Sequence, residues 1–168
     1  MKTGRPPAWV LDPSSPGPVL QEARLVQSRG RVSVPARLLA GLPGVNDSSG
    51  GEFLLVLEEP GRVRLLPWAP HGEEALERRR GIAGGDVKAA GTLEALRAWD
   101  DKYRRLRIDG GRIDLPLAVV AHLDSRFRIH GVHLVRYPGT LEIWSAAYRN
   151  RRLRDMEELG ADDGEPPW

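Results

Sequence analysis

Cysteine is absent from the 168-residue chain, which excludes disulfides, thiol catalysis and cysteine-ligated zinc. Aromatic residues make up only 6% of it, so aliphatic side chains must supply most of any core. No apolar run approaches the roughly 18 residues of a membrane span, and the N-terminus lacks the apolar block of a signal peptide. A cytoplasmic protein with no membrane partner is expected. Catalytic signatures are missing too: there is no G-x-S-x-G elbow, Walker glycine loop or dinucleotide fingerprint, and "GIAGGDVKAAG" lacks the strand context such loops need. Neither an enzyme nor a bound cofactor is expected. His130 and His133 have the spacing of a metal pair, with His122 nearby, but no third ligand is convincingly spaced, so packing or surface roles are expected for all of them.

What is abundant is arginine, unevenly placed. The formal net charge is only +2, but from Asp155 onward there are six acids and no Lys or Arg. Positions 1 to 154 therefore hold all 25 basic residues against 17 acidic ones, a balance suited to a polyanionic partner.

The opening "MKTGRPPAWVLDPSSPGPVL" has five prolines and no helix or strand period, so it is expected to be an extended arm. In "LVQSRGRVSVP", Val32 and Val34 alternate with Arg31 and Ser33, the period of a half-buried strand, and Pro35 then opens a short helix, "PARLLAGL". A Gly/Ser-rich loop follows, then "FLLVLEE" and "RVRLLPW" around Pro60-Gly61, which predict a β-hairpin.

The same order returns: "LRIDGGRIDL", a helix from Pro116, a shorter loop, then "VHLVRY" and "TLEIWS" around Pro138-Gly139. The Gly-Arg pairs are offset by 81 positions and the Pro-Gly turns by 78, so the intervening loop is taken to have changed length. Between the copies "GEEALERRRGI" reads as a helix. A second helix, behind a Thr92 cap, carries Leu93, Leu96, Trp99, Tyr103 and Leu106 at three- and four-residue steps. "SAAYRNRRLRDMEELG" predicts a last helix capped by Ser145 and stopped by Gly160.

A unit of roughly 40 residues cannot bury enough apolar surface alone, so the two must share a core. The residues expected inside are Val32, Val34, Leu55, Leu57, Val63, Leu65, Ile113, Leu115, Leu134, Leu141 and Ile143. The fold class expected is α+β, two tandem β-α-β-β repeats closing a small pseudo-twofold β-barrel with flanking helices.

"RGRVSVPARLL" and "GGRIDLPLAVV" resemble the strand-proline-helix signature of the AbrB-type swapped-hairpin fold. The doubled arrangement ending in "LEIWSAAY" is similar to the MraZ family of bacterial transcriptional regulators. The resemblance covers roughly residues 25 to 159. It departs from the family's D-x-x-G-R pattern: Gln27 and Ile108 stand where the family has Asp, with Asp109 one place on, as in a divergent member. The organisation implied is a Pro-rich arm (1–22), a first AbrB-like repeat (23–68), connecting helices (69–104), a second repeat (105–145), a C-terminal helix (146–160) and an acidic tail (161–168).

The resemblance implies double-stranded DNA as partner, a nucleoid-associated cytoplasmic location and ring-like homo-oligomers on repeated sites. Physically, arginines on a rigid sheet neutralise phosphates and release counterions, and a two-stranded β-element fits the major groove, where arginine binds guanine bidentately. The expected readers are Arg31 and Arg112, with Arg29, Arg107, Arg24, Arg37 and Arg105 mainly holding phosphate. Each has an alternative role, shielding a strand edge or pairing with Asp109 or Asp114. Gly30 and Gly111 serve a tight turn or bulge, or close phosphate approach. Trp99, Tyr103, Trp144 and Tyr148 are expected to be hard for so small a barrel to cover, which favours association. The rival function is an AbrB-type antitoxin or interaction module whose terminal arms bind a partner protein.

Overall fold

The computed structural model describes residues 20–27, 30–43, 45–47, 50–85, 90–126 and 129–162. Strands β1 (Leu20–Gln27) and β2 (Arg31–Ser33) pair antiparallel and lead into helix α1 (Ala36–Leu39). After β3 (Val45–Asp47), strands β4 (Gly50–Leu57) and β5 (Arg62–Pro67) form a hairpin. A wide turn at Trp68–Gly72 precedes helices α2 (Glu73–Ala83) and α3 (Ala90–Lys102). Then come β6 (Tyr103–Ile108), β7 (Arg112–Asp114), α4 (Leu117–Leu123), β8 (Gly131–Arg136), β9 (Leu141–Ser145) and α5 (Ala146–Asp162).

The architecture is mixed α+β. The strands run β4-β5-β9-β8-β1-β2-β7 around an antiparallel sheet. β6 pairs with β4 and meets β7 through the Asp109–Arg112 bridge, so eight strands form a nearly closed barrel; β3 pairs with β4 beside it. Closure of this kind leaves few sheet edges exposed.

Alternation along the strands decides what is inside. Val32, Val34, Phe53, Leu55, Val63, Leu65, Leu106, Ile108, Ile113, Leu115, Val132, Leu134, Leu141 and Ile143 form one buried cluster, joined by Leu38 and Leu39 of α1 and Val119 and Leu123 of α4. The expected interior matches this list except for Leu57, which is only partly covered where β4 ends.

Helices cover two stretches of the outer wall. Leu54 and Val56 of β4 pack with Ala75 of α2, Trp99 of α3 and Tyr103 of β6. Val135 of β8 packs with Trp144 and with Tyr148 of α5. Trp144 and Tyr148 are only 5% and 6% exposed, so the chain covers with its own helix two of the four aromatics expected to need a partner, while Trp99 and Tyr103 stay partly covered. The reason is compact: the Trp144 and Tyr148 rings meet edge to face at 5.1 Å over the β8–β9 hairpin.

Several element boundaries differ from the sequence expectation. The two stretches read as single strands, around Gly30 and around Gly110-Gly111, are each hairpins. β1 begins at Leu20, within the expected arm, because Leu20 pairs with Arg136. The helix expected to include Tyr103 and Leu106 stops at Lys102; pairing of Tyr103–Ile108 with β4 overrides the helical period, which at three- and four-residue steps ran on by coincidence. That helix starts at Ala90, so Thr92 lies inside it. Ser145 does cap α5, its Oγ accepting the Tyr148 N–H at 3.1 Å, but the helix continues through Gly160 to Asp162.

Candidate nucleic-acid interface

β2 and β7 lie side by side with Val32 opposite Ile113, both fully buried. Alternation then turns Arg31 and Ser33 outward on one strand and Arg112 and Asp114 outward on the other. Arg31 stands opposite Asp114, and Arg112 opposite Ser33. The two arginines are thus diagonal neighbours on one face, a relation that separates residues by roughly 7–8 Å. The ladder continues at both ends, where Gly111 C=O accepts from Val34 N–H (2.7 Å) and Gly30 C=O from Leu115 N–H (2.9 Å).

Prolines end these strands. Pro35 (φ −61°, ψ 144°) and Pro116 (φ −58°, ψ 153°) are extended and sit just outside the helices, as caps rather than the first helical residues the sequence suggested.

β6 brings two further arginines to the same face. Asp109 and Arg112 exchange backbone hydrogen bonds of 3.1 Å in each direction, enclosing Gly110 (φ +58°) and Gly111 (φ +70°) in a two-residue turn with both residues left-handed. Alternation outward from Asp109 places Arg107 and Arg105 alongside. Arg31, Arg105, Arg107, Arg112, Asp109, Asp114 and Pro116 line one shallow hollow of about 440 Å³.

These arginines are not equally free. Arg31 Nε donates to Asp114 Oδ1 at 3.0 Å in an exposed pair. Arg105 Nε donates to Glu52 Oε2 at 3.1 Å, with a second bond from its Nη2. Its guanidinium also lies 4.2 Å from the centroid of Trp68, a cation–π contact that fixes its direction. Among the described residues no acidic side chain forms an ion pair with Arg107 or Arg112.

Arg24 and Arg37 lie elsewhere. Gln27 pairs with Arg31 on the outward face, so parity turns Arg24 to the other face, where it sits opposite Val132. Arg24 donates to Glu22 at 2.8 Å, and Arg37 of α1 also pairs with Glu22; neither lines the arginine hollow. Arg29, residues 1–19 and residues 163–168 fall outside the described residues. Trp68 and Glu52, which position Arg105, went unrecognised in the sequence, because nothing in their local pattern announces a contact with a strand some 40 to 50 residues later.

Other polar groups are occupied structurally. Arg79 of α2 binds Asp100 of α3 at 2.9 and 3.2 Å, and its hydrogen bond holds the Asp100 carboxyl below its usual range. His122 Nε2 lies 2.8 and 3.0 Å from the carbonyls of Glu59 and Arg62, which bonds it to the backbone of the β4–β5 turn. Burial, then the nearby Arg149 charge, lowers the pKa of His133. Among the described residues no cluster of three or more His, Asp or Glu is placed to hold a metal, and no helix is long and apolar enough to cross a membrane.

The fold and surface define an α+β barrel with an arginine-bearing sheet face. No protein-family model and no curated protein matches the chain.

Proposed function

We propose that the protein is a MraZ-like, sequence-preferring regulator that binds double-stranded DNA through the outward face of β2, β6 and β7. The observation that carries this is the convergence of Arg31, Arg105, Arg107 and Arg112 on one hollow of a rigid antiparallel element. Guanidinium groups held this way can meet adjacent phosphates while one or two reach guanine edges. Arg112 and Arg31 are the proposed base readers; Arg107 and Arg105 hold the backbone.

The sheet register supports two tandem AbrB-like units. The pairing of Arg24 with Val132 has a counterpart in Leu106 with Phe53, and that of Leu55 with Leu65 in Leu134 with Ile143. The matching offsets are 82 for β1 and β6, 81 for β2 and β7, 79 for β4 and β8, and 78 for β5 and β9. One residue is thus lost in each hairpin turn of the second unit, in addition to the shorter loop. Asp109, one place off the family spacing in sequence, then corresponds in the sheet to Gln27. The same offsets match Arg31 with Arg112 but Arg107 with Leu25 and Arg105 with Ala23, so only the first pair is duplicated.

Assembly of several copies on repeated sites would multiply the modest affinity of one such face. A protein-docking role is the second possibility, favoured by Leu25, 78% exposed on the outer wall of β1 next to exposed Ala23. Selection of binding sequences from random duplex at moderate salt separates the two. Enrichment of short repeated motifs supports the regulator, and recovery of no preferred sequence together with a stoichiometric protein partner supports docking.

A further inference from the structure

The outward face of β2 and β7 is symmetric in its backbone and asymmetric in its charge. Ser33 stands opposite Arg112, whereas at the matching place Asp114 stands opposite Arg31 and accepts its Nε–H at 3.0 Å. Both partners of that pair are exposed, at 48% and 73% of their side chains, so neither is needed to fill the barrel. The pair's effect is on the face itself.

A guanidinium bound through Nε has its plane set by the carboxylate, and the fork it offers to a guanine or a phosphate is no longer free to turn. The carboxylate also lines the hollow proposed to meet DNA phosphates. Arg112 stands opposite Ser33 on β2 and Asp109 just past β6, and among the described residues no ion pair holds its guanidinium. We propose that Asp114 is a specificity-determining residue: it holds Arg31 in check, so that the two matched arginines engage duplex DNA unequally and Arg112 is the dominant reader. This rests on the DNA-binding function proposed above.

An exposed ion pair is a weak restraint, so its release is a modest effect: Asp114→Ser is expected to raise affinity for pooled random duplex about three- to tenfold. It is also expected to steepen the salt dependence by about one in log–log slope, as Arg31 gains a phosphate contact. The test is a cycle on the full-length chain comparing wild type, Asp114→Ser, Arg31→Ala and the double variant, with Arg112→Ala measured alongside and thermal unfolding checked to be unchanged. Loss of the gain in the Arg31→Ala background supports the proposal, because Asp114 then acts through Arg31. A gain that persists there overturns it, since the acid then acts by general repulsion. If Asp114→Ser binds like wild type while Arg112→Ala still binds weakly, this inference fails and the DNA-binding function stands. If Arg112→Ala binds duplex as well as wild type does, both fall.

Discussion

Replacing Glu142 by alanine should unfold the protein far more readily than an ordinary strand substitution. Glu142 is 3% exposed on the outer wall of β9. Its two oxygens accept Arg62 Nε at 2.8 Å and Arg62 Nη2 at 2.9 Å, and Oε1 also accepts Trp144 Nε1 at 2.8 Å. Alanine would strand an indole N–H and a largely covered guanidinium. Breaking one side of a buried pair costs about 3–5 kcal/mol, but Arg62 keeps Glu59 at 2.7 Å, so a loss of about 2–4 kcal/mol is expected. For a chain of this size that corresponds to a fall in Tm of roughly 5–15 °C. Glu142→Gln keeps an acceptor for Trp144 and should lose less. Arg62→Met combined with Glu142→Leu removes both charges and should recover part of the loss, the Trp144 indole N–H alone staying unpaired. Urea unfolding followed by tryptophan fluorescence and circular dichroism reads all of these. A loss below about 1 kcal/mol for Glu142→Ala, or a double variant as unstable as the single one, would refute the electrostatic reasoning.

Gly61→Ala should be destabilising by roughly 1–3 kcal/mol, because the glycine has φ +91° and a Cβ there would stand 2.6 Å from Ser145 Oγ and 2.9 Å from Tyr148 Cβ; chemical denaturation checks it, and a wild-type midpoint would contradict it. Burial, aided by the Glu142 charge, pushes the Tyr137 phenol up to about 12 from an ordinary 10.0. A raised folded-state value means the stabilisation is complete below pH about 10 and is lost as pH rises through about 12. Tyrosinate absorbance should therefore lag in wild type relative to Tyr137→Phe plus free tyrosine; ionisation of Tyr137 at the ordinary value would contradict its burial.

Much of the fold was legible because burial imposes a period of two on strands that share one core. Val32, Val34, Ile113 and Leu115 could be placed inside from alternation alone. Tyr103 and Leu106 were misplaced because a helical and a strand period coincide briefly across "KYRRL", and only pairing with β4 decides between them. In the candidate interface, the repeated Gly-Arg singled out Arg31 and Arg112, and Arg105 and Arg107 line the same hollow with them. Arg24 was not separable from them by sequence. Whether it faces in or out depends on parity through a turn that is one residue longer in the first hairpin than in the second. The Trp68 stack under Arg105 depends on tertiary proximity that no local signal carries.

The most direct measurement is duplex affinity against salt for wild type and for Arg31→Ala combined with Arg112→Ala. Loss of both guanidinium groups should weaken binding at every salt concentration and lower the log–log slope by about one, because Asp114 already holds Arg31 in check. An unchanged affinity and slope, in a variant that still unfolds like wild type, would contradict DNA binding by this face.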